Sequence, residues 1–283
     1  GMNGGEFTVA TRSVECLPVK FYSAWRNPYC QRAWIGLEEK AVDYQWVEVD
    51  LYKQGTDGGQ GRWLMPLEEL GGLYPSFLAA SPRGLLPALD NDGEVVAQDS
   101  LIILEYIHEA FSGPPLLPAA PHARARVRLW TAHVDRNIVP HYERLLNSVD
   151  GEGRGQARTS LMQGLADFEA AMAPEAEGPF FLGDDFTMVD IALAPWWQRM
   201  CTVLRAYRKF DPSSCPRLQA WYEAVVARPS FQSTVLDPEK LIEEFSDRAD
   251  IEEGMREGTR FRRGAALARG SPSRQTSGAQ AGY

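Results

Sequence analysis

The feature that most constrains this chain is a change of hydrophobic period across a run of chain breakers. Between Ser112 and Pro121 stand four prolines and a glycine, residues that end helices and interrupt central strands. Before that run, strand-type and helix-type patterns alternate. Val19-Lys20-Phe21-Tyr22 reads as a short strand, Pro28 to Lys40 carries Cys30, Ala33, Trp34 and Leu37 at helical spacing, and Tyr44 to Val49 alternates like a second strand. Asn27-Pro28 marks the start of the first helix, because asparagine is a strong N-cap and proline is favoured at the first helical position. Two apolar runs, 85–89 and 94–97, flank the turn signal Asn91-Asp92-Gly93 and predict a hairpin. Ser100 opens a helix to Phe111 whose apolar face is Ile103, Leu104 and Ile107. The glycine-rich stretch from Lys53 to Tyr74 has few periodic apolar residues and predicts a long loop or insertion. Beyond the breakers the period is helical almost throughout, at about 122–149, 156–173, 187–207 and 216–227, with weaker helices to about 247.

The order β-α-β and then β-β-α is that of a thioredoxin-like unit. The predicted architecture is therefore an α/β thioredoxin-like N-terminal domain over 18–113 followed by an all-α C-terminal domain over 114–250. With 44% hydrophobic and 24% charged residues in 283, the chain has the composition of a protein with a real core, which excludes a disordered chain or a disulfide-stapled miniprotein. The longest apolar stretches, such as Ile191 to Trp197, fall well short of the roughly 20 residues that cross a bilayer, so no membrane is expected. Four cysteines without a secretory signal favour a reducing, cytoplasmic setting. Neither cysteines nor histidines are grouped at ligand spacing, and no metal is expected. A net charge of −9 disfavours nucleic acid. The charge is uneven, since residues 254–283 hold six arginines against one glutamate. That polar, arginine-rich tail, from 251 onwards, lacks the large apolar residues needed to offset ordering entropy and is expected to be disordered and dispensable for folding; the leader over 1–17 is expected to be disordered.

Four stretches, in order, resemble the cytosolic glutathione transferases: Phe21-Tyr22-Ser23 leading to Asn27-Pro28-Tyr29-Cys30-Gln31-Arg32; Gly84-Leu85-Leu86-Pro87-Ala88-Leu89; Gln98-Asp99-Ser100; and Gly183-Asp184-Asp185-Phe186-Thr187-Met188-Val189-Asp190-Ile191-Ala192. The resemblance covers roughly residues 18–245. The first stretch is most similar to the omega class, with Asn27 where that class has a cysteine. The resemblance implies glutathione as co-substrate, a small hydrophobic electrophile as the second substrate, and a homodimer. With no cysteine at position 27, a mixed disulfide with glutathione cannot form there. An Asn27 amide can instead donate to the glutathione thiolate beside the positive end of a helix; the alternative is that Asn27 only caps the helix. Cys30 fills the second cysteine position of a Cys-Pro-Tyr-Cys motif, and is otherwise a small buried hydrophobe.

Leu86-Pro87 corresponds to the family's cis-proline, whose preceding backbone pairs with the cysteinyl unit of glutathione. Asp99-Ser100, at a helix start, is implied to hold the γ-glutamyl carboxylate and α-ammonium, and each can also cap the helix. Thr187 to Asp190 reads as a capping box with a folding role. The lysine expected in the omega class aligns with Tyr74, leaving Lys53 as a distant substitute. Trp130, His133, Trp196, Trp197 and Met200 are candidates to wall the hydrophobic pocket, with core packing as their alternative role. The favoured activity is activation of the glutathione thiol for attack on an electrophile or peroxide. A non-catalytic binding or regulatory module, and a thiol reductase acting through Cys30, are the rival readings.

Overall fold

The computed structural model describes residues 19–54, 62–97 and 99–246; the leader and the arginine-rich tail lie outside the described residues. The first half contains β1 (Val19–Ser23), α1 (Pro28–Glu39), β2 (Tyr44–Glu48), β3 (Tyr52–Gln54), β4 (Arg62–Leu64), α2 (Leu67–Leu73), α3 (Pro75–Ala80), β5 (Ala88–Asn91), β6 (Glu94–Ala97) and α4 (Ser100–Ala110). Four strands form one sheet in the order β2-β1-β5-β6, with β1 and β2 parallel and the other pairs antiparallel. Successive strand residues point to opposite faces. Phe21 and Tyr22 are both buried, so the central strand is covered on both sides, and Tyr22 meets Phe77 of α3 at 5.8 Å between ring centroids.

The stretch from Lys53 to Tyr74 is not one long loop. Strands β3 and β4 pair antiparallel, Tyr52 opposite Leu64, and α2 follows, anchored by buried Leu70. Three-residue strands are too short to carry a legible alternation, which is why the pattern reads as loop; residues 55–61 lie outside the described residues.

The second half is helical: α5 (Pro121–His133), α6 (Val139–Asn147), α7 (Gly151–Ala171), α8 (Met188–Arg199), α9 (Arg205–Arg208), α10 (Pro216–Val226), α11 (Pro229–Gln232) and α12 (Pro238–Glu244). A π-helical segment, Val134–Ile138, joins α5 to α6. Pro140 has no N–H for an ordinary helical bond at that place, and the register widens just before it, with Val139 N–H donating to Val134 C=O. A second π-helical segment, Met200–Leu204, joins α8 to α9. Every residue of α8 is buried. Its start is the expected capping box, where Asp190 accepts from Thr187 N–H at 2.9 Å and, through its other oxygen, from Phe181 N–H and Trp221 Nε1–H, both at 2.9 Å. Burial pushes the Asp190 carboxyl above the usual carboxylate range, against those donors.

The halves meet on α1, which packs against α4, α8 and α11. Gly36 permits the close approach of α4: a Cβ there would lie 2.5 Å from Leu104 Cδ2.

Candidate active site

Strand register assembles the site. Ala88 pairs with Tyr22 of β1 and with Ala97 of β6, so Leu86-Pro87, Asp99-Ser100 and the turn that follows Ser23 emerge at one end of the sheet. That turn is closed by Asn27 N–H on Ala24 C=O at 2.9 Å, and it delivers the chain into α1.

Asn27 is the N-cap of α1, its Oδ1 accepting from Tyr29 N–H at 2.9 Å and Cys30 N–H at 3.4 Å. With Oδ1 turned to the helix, Nδ2 points the other way and has no partner among the described residues. The amide thus caps with one end and keeps a donor at the other. Cys30, one turn in, is 1% exposed, and burial pushes its thiol up to about 12. A thiol so placed stays protonated at neutral pH, and Cys30 has the environment of a core side chain.

The Leu86–Pro87 peptide is cis. The Leu86 N–H and C=O find no hydrogen-bond partner among the described residues, while Leu85 next to it is tied to Ser81 Oγ on both its backbone groups. Asp99 caps α4, accepting from Leu101 N–H at 2.8 Å and Ile102 N–H at 3.4 Å. Ser100 is buried, and its Oγ accepts from Arg32 Nη1 at 3.4 Å.

Arg32, whose place in the site the sequence did not disclose, joins the halves. Fully buried, it donates to Ala192 C=O of α8 at 2.9 Å and pairs with Asp135 of the π-helical segment at 2.6 Å. Its guanidinium lies 5.4 Å from the centre of the Tyr29 ring, which meets Trp196 edge-on at 5.2 Å. Burial, the largest effect, pushes the Tyr29 phenol up to about 12 despite Arg32, so it remains a neutral O–H at the rim of the site.

Three of the aromatic candidates point elsewhere. Trp130 packs on Phe168 and Phe181, and His133 contacts Gly164 C=O through Nε2 at 2.8 Å and Asn137 through Nδ1 at 2.9 Å. Two residues on, Asp135 faces Arg32; at about 100° per helical residue the same helix cannot turn both to α1. Trp197 packs on Phe210 and Trp221, whereas adjacent Trp196 meets Tyr29 of α1 and Tyr142 of α6. Met200 is buried in the core. Trp196 thus reaches the first turn of α1. Lys53 is paired with Glu69 on the surface, and Tyr74 Oη accepts from Asp50 N–H at 3.4 Å. Among the described residues no cluster of metal-binding side chains occurs, and no helix is long and apolar enough to cross a membrane.

Residues 21–115 match the family model for the glutathione S-transferase N-terminal domain and residues 121–224 that for the C-terminal domain. Glutathione S-transferase Z2 of Arabidopsis thaliana is 31% identical over 78% of this chain and 92% of its own. Among solved structures, glutathione transferase Omega 3C from Trametes versicolor is 32% identical, with a TM-score of 0.66 over 83% of this chain and 91% of its own. Rice GST1 in complex with glutathione is 26% identical, with a TM-score of 0.67 over 86% and 98%.

Proposed function

The chain belongs to the glutathione S-transferase family, and on that footing we propose that it activates the thiol of bound glutathione at the N-terminus of α1 for attack on a small hydrophobic electrophile. The observation that carries this reading is the half-buried Asn27 amide, whose Oδ1 is spent on the helix and whose Nδ2 has no protein partner among the described residues. A charge-assisted bond from Nδ2 to sulfur contributes about 1.5–3 kcal/mol, equal to roughly one to two pKa units in favour of the thiolate. The helix terminus adds to the same end. Backbone groups of Leu86 take the cysteinyl unit, and the start of α4 at Asp99-Ser100 takes the γ-glutamyl end.

The thiol proton leaves to solvent, the thiolate attacks the electrophilic carbon, and the leaving group departs with the displaced electron pair. Tyr29, exposed at the rim and backed by the buried Trp196, offers the electrophile an aromatic wall. This is an omega-like sequence in which an amide takes the place of the cysteine. The Cys30 reductase reading is disfavoured by burial of that thiol. Val95 on β6, Ile102 on α4 and Leu129 on α5 are exposed apolar side chains and supply the face for the homodimer proposed here.

Conjugation of glutathione to a chloronitrobenzene, followed at neutral pH, tests the reading. Turnover by the wild type with strong loss in Asn27→Ala is expected. Binding of glutathione without turnover of any electrophile or peroxide would instead make the chain a binding module.

A further inference from the structure

Arg199 is a fully buried cation with no carboxylate bonded to it among the described residues. One guanidinium nitrogen donates to Gln31 Oε1 at 2.7 Å and to Pro195 C=O at 2.8 Å, the other to Arg26 C=O at 2.9 Å. Its Nε is buried with no hydrogen-bond partner among the described residues. Burying a charge without a counter-ion is costly, and burial lowers this group to about 10, which still leaves it protonated at neutral pH. The cation sits behind the first turn of α1. Gln31 is on that helix, and Arg26 is the residue before Asn27. The groups whose charge bears on it are Cys30 of α1, Tyr142 and Glu143 of α6 and Tyr222 of α10. Cys30 and Tyr222 are themselves held protonated by burial.

We propose that Arg199 is a positioning residue for the thiol site, fixing the Arg26–Asn27 peptide through the Arg26 carbonyl and holding a buried positive charge that the glutathione thiolate answers when it binds. This rests on the reading that glutathione places its sulfur at Asn27. In the step concerned the bound thiol gives its proton to solvent and keeps the electron pair; nothing is oxidised or reduced. The negative charge then faces Asn27 Nδ2, the amides of α1 and, behind them, a buried guanidinium that has no carboxylate bonded to it among the described residues. Water screens such a charge poorly in the interior.

The test is a pH titration of the ultraviolet thiolate absorbance of glutathione bound to the full chain, in the wild type, Arg199→Gln and Arg199→Lys, with melting curves to establish folding. Arg199→Gln is expected to leave about tenfold less thiolate at neutral pH, one pKa unit, and Arg199→Lys to stay within about threefold of wild type, since it keeps the charge. S-methylglutathione, which has no thiol proton, should bind all three alike by calorimetry. A folded Arg199→Gln with the wild-type titration overturns the proposal. If that variant does not fold, Arg199→Lys decides: a titration like wild type supports the proposal, and a tenfold shift with the charge retained overturns it. Wild type that binds neither glutathione nor its S-methyl form removes the glutathione reading itself and this inference with it. A shifted titration in a chain that conjugates nothing sustains the inference and contradicts the proposed activity.

Discussion

At position 27 the two ends of one amide divide capping from chemistry, and substitutions can divide them too. Asn27→Asp keeps an oxygen for the Tyr29 and Cys30 amides but removes the Nδ2 donor, so it should melt near wild type while turnover at neutral pH falls at least tenfold. Asn27→Ala loses the cap as well and should cost a further 0.5–2 kcal/mol or so of stability, seen as an earlier denaturant midpoint. A second expectation concerns the thiols. Burial pushes Cys30, Cys201 and Cys215 each up to about 12, so labelling the native chain with a thiol reagent at neutral pH, read by mass spectrometry, should leave all three unmodified on the timescale that labels the denatured chain; rapid alkylation of Cys30 would revive the reductase reading. Position 27 was legible because a cap is a local matter: asparagine before proline states it within two residues. Arg32 and Arg199 were not, because the partners that tie them to other elements lie 68 or more residues away in the chain, at Ser100, Asp135, Ala192 and Gln31, and an arginine on a helix reads as surface until its partners are known.

At the scale of elements, the central strands and most helix starts follow from capping residues, prolines and period, whereas the direction of each aromatic on α8 does not. A helix buried on all sides has no polar face to orient it, and so Trp196 and Trp197 could not be ranked from the sequence, although one meets Tyr29 and the other Phe210. The same limit hid the π-helical segment: Pro140 announces a disturbance, but only packing decides that the chain widens its turn instead of ending the helix. That segment is held against α7 by a close approach at Gly164, where a Cβ would stand 2.4 Å from Asn137 C=O. The obstacle is backbone, which cannot rotate away, so Gly164→Ala should separate α7 from the segment that carries Asp135. A loss of about 1–3 kcal/mol, the usual cost of overpacking a core, is expected in denaturant unfolding, together with weaker turnover from misplacement of the Asp135–Arg32 pair. An unchanged melt would show that α7 is not seated as described.

For the whole molecule, the buried acids point to a loss of stability in alkali. Cys30, Cys201, Cys215 and Tyr29 are all pushed up to about 12, while Tyr44 and Tyr222 are raised further by burial. Below the pH at which the unfolded chain begins to lose these protons, about 8 for the thiols, they are neutral in both states. Above it the native state retains protons that the unfolded state releases, so stability declines as pH rises from about 8 towards 12, and the melting temperature should fall across that range. Light scattering at micromolar concentration should give twice the chain mass, and Ile102→Lys should reduce it to one chain without lowering glutathione affinity per site. Above both stands the claim that glutathione's own sulfur, activated by Asn27, is the nucleophile. The direct measurement is the ultraviolet titration of glutathione bound to wild type and to Asn27→Asp. The wild type should hold the thiol about one to two pKa units below free glutathione, with the substitution abolishing that depression; identical titrations in the two proteins would contradict the account.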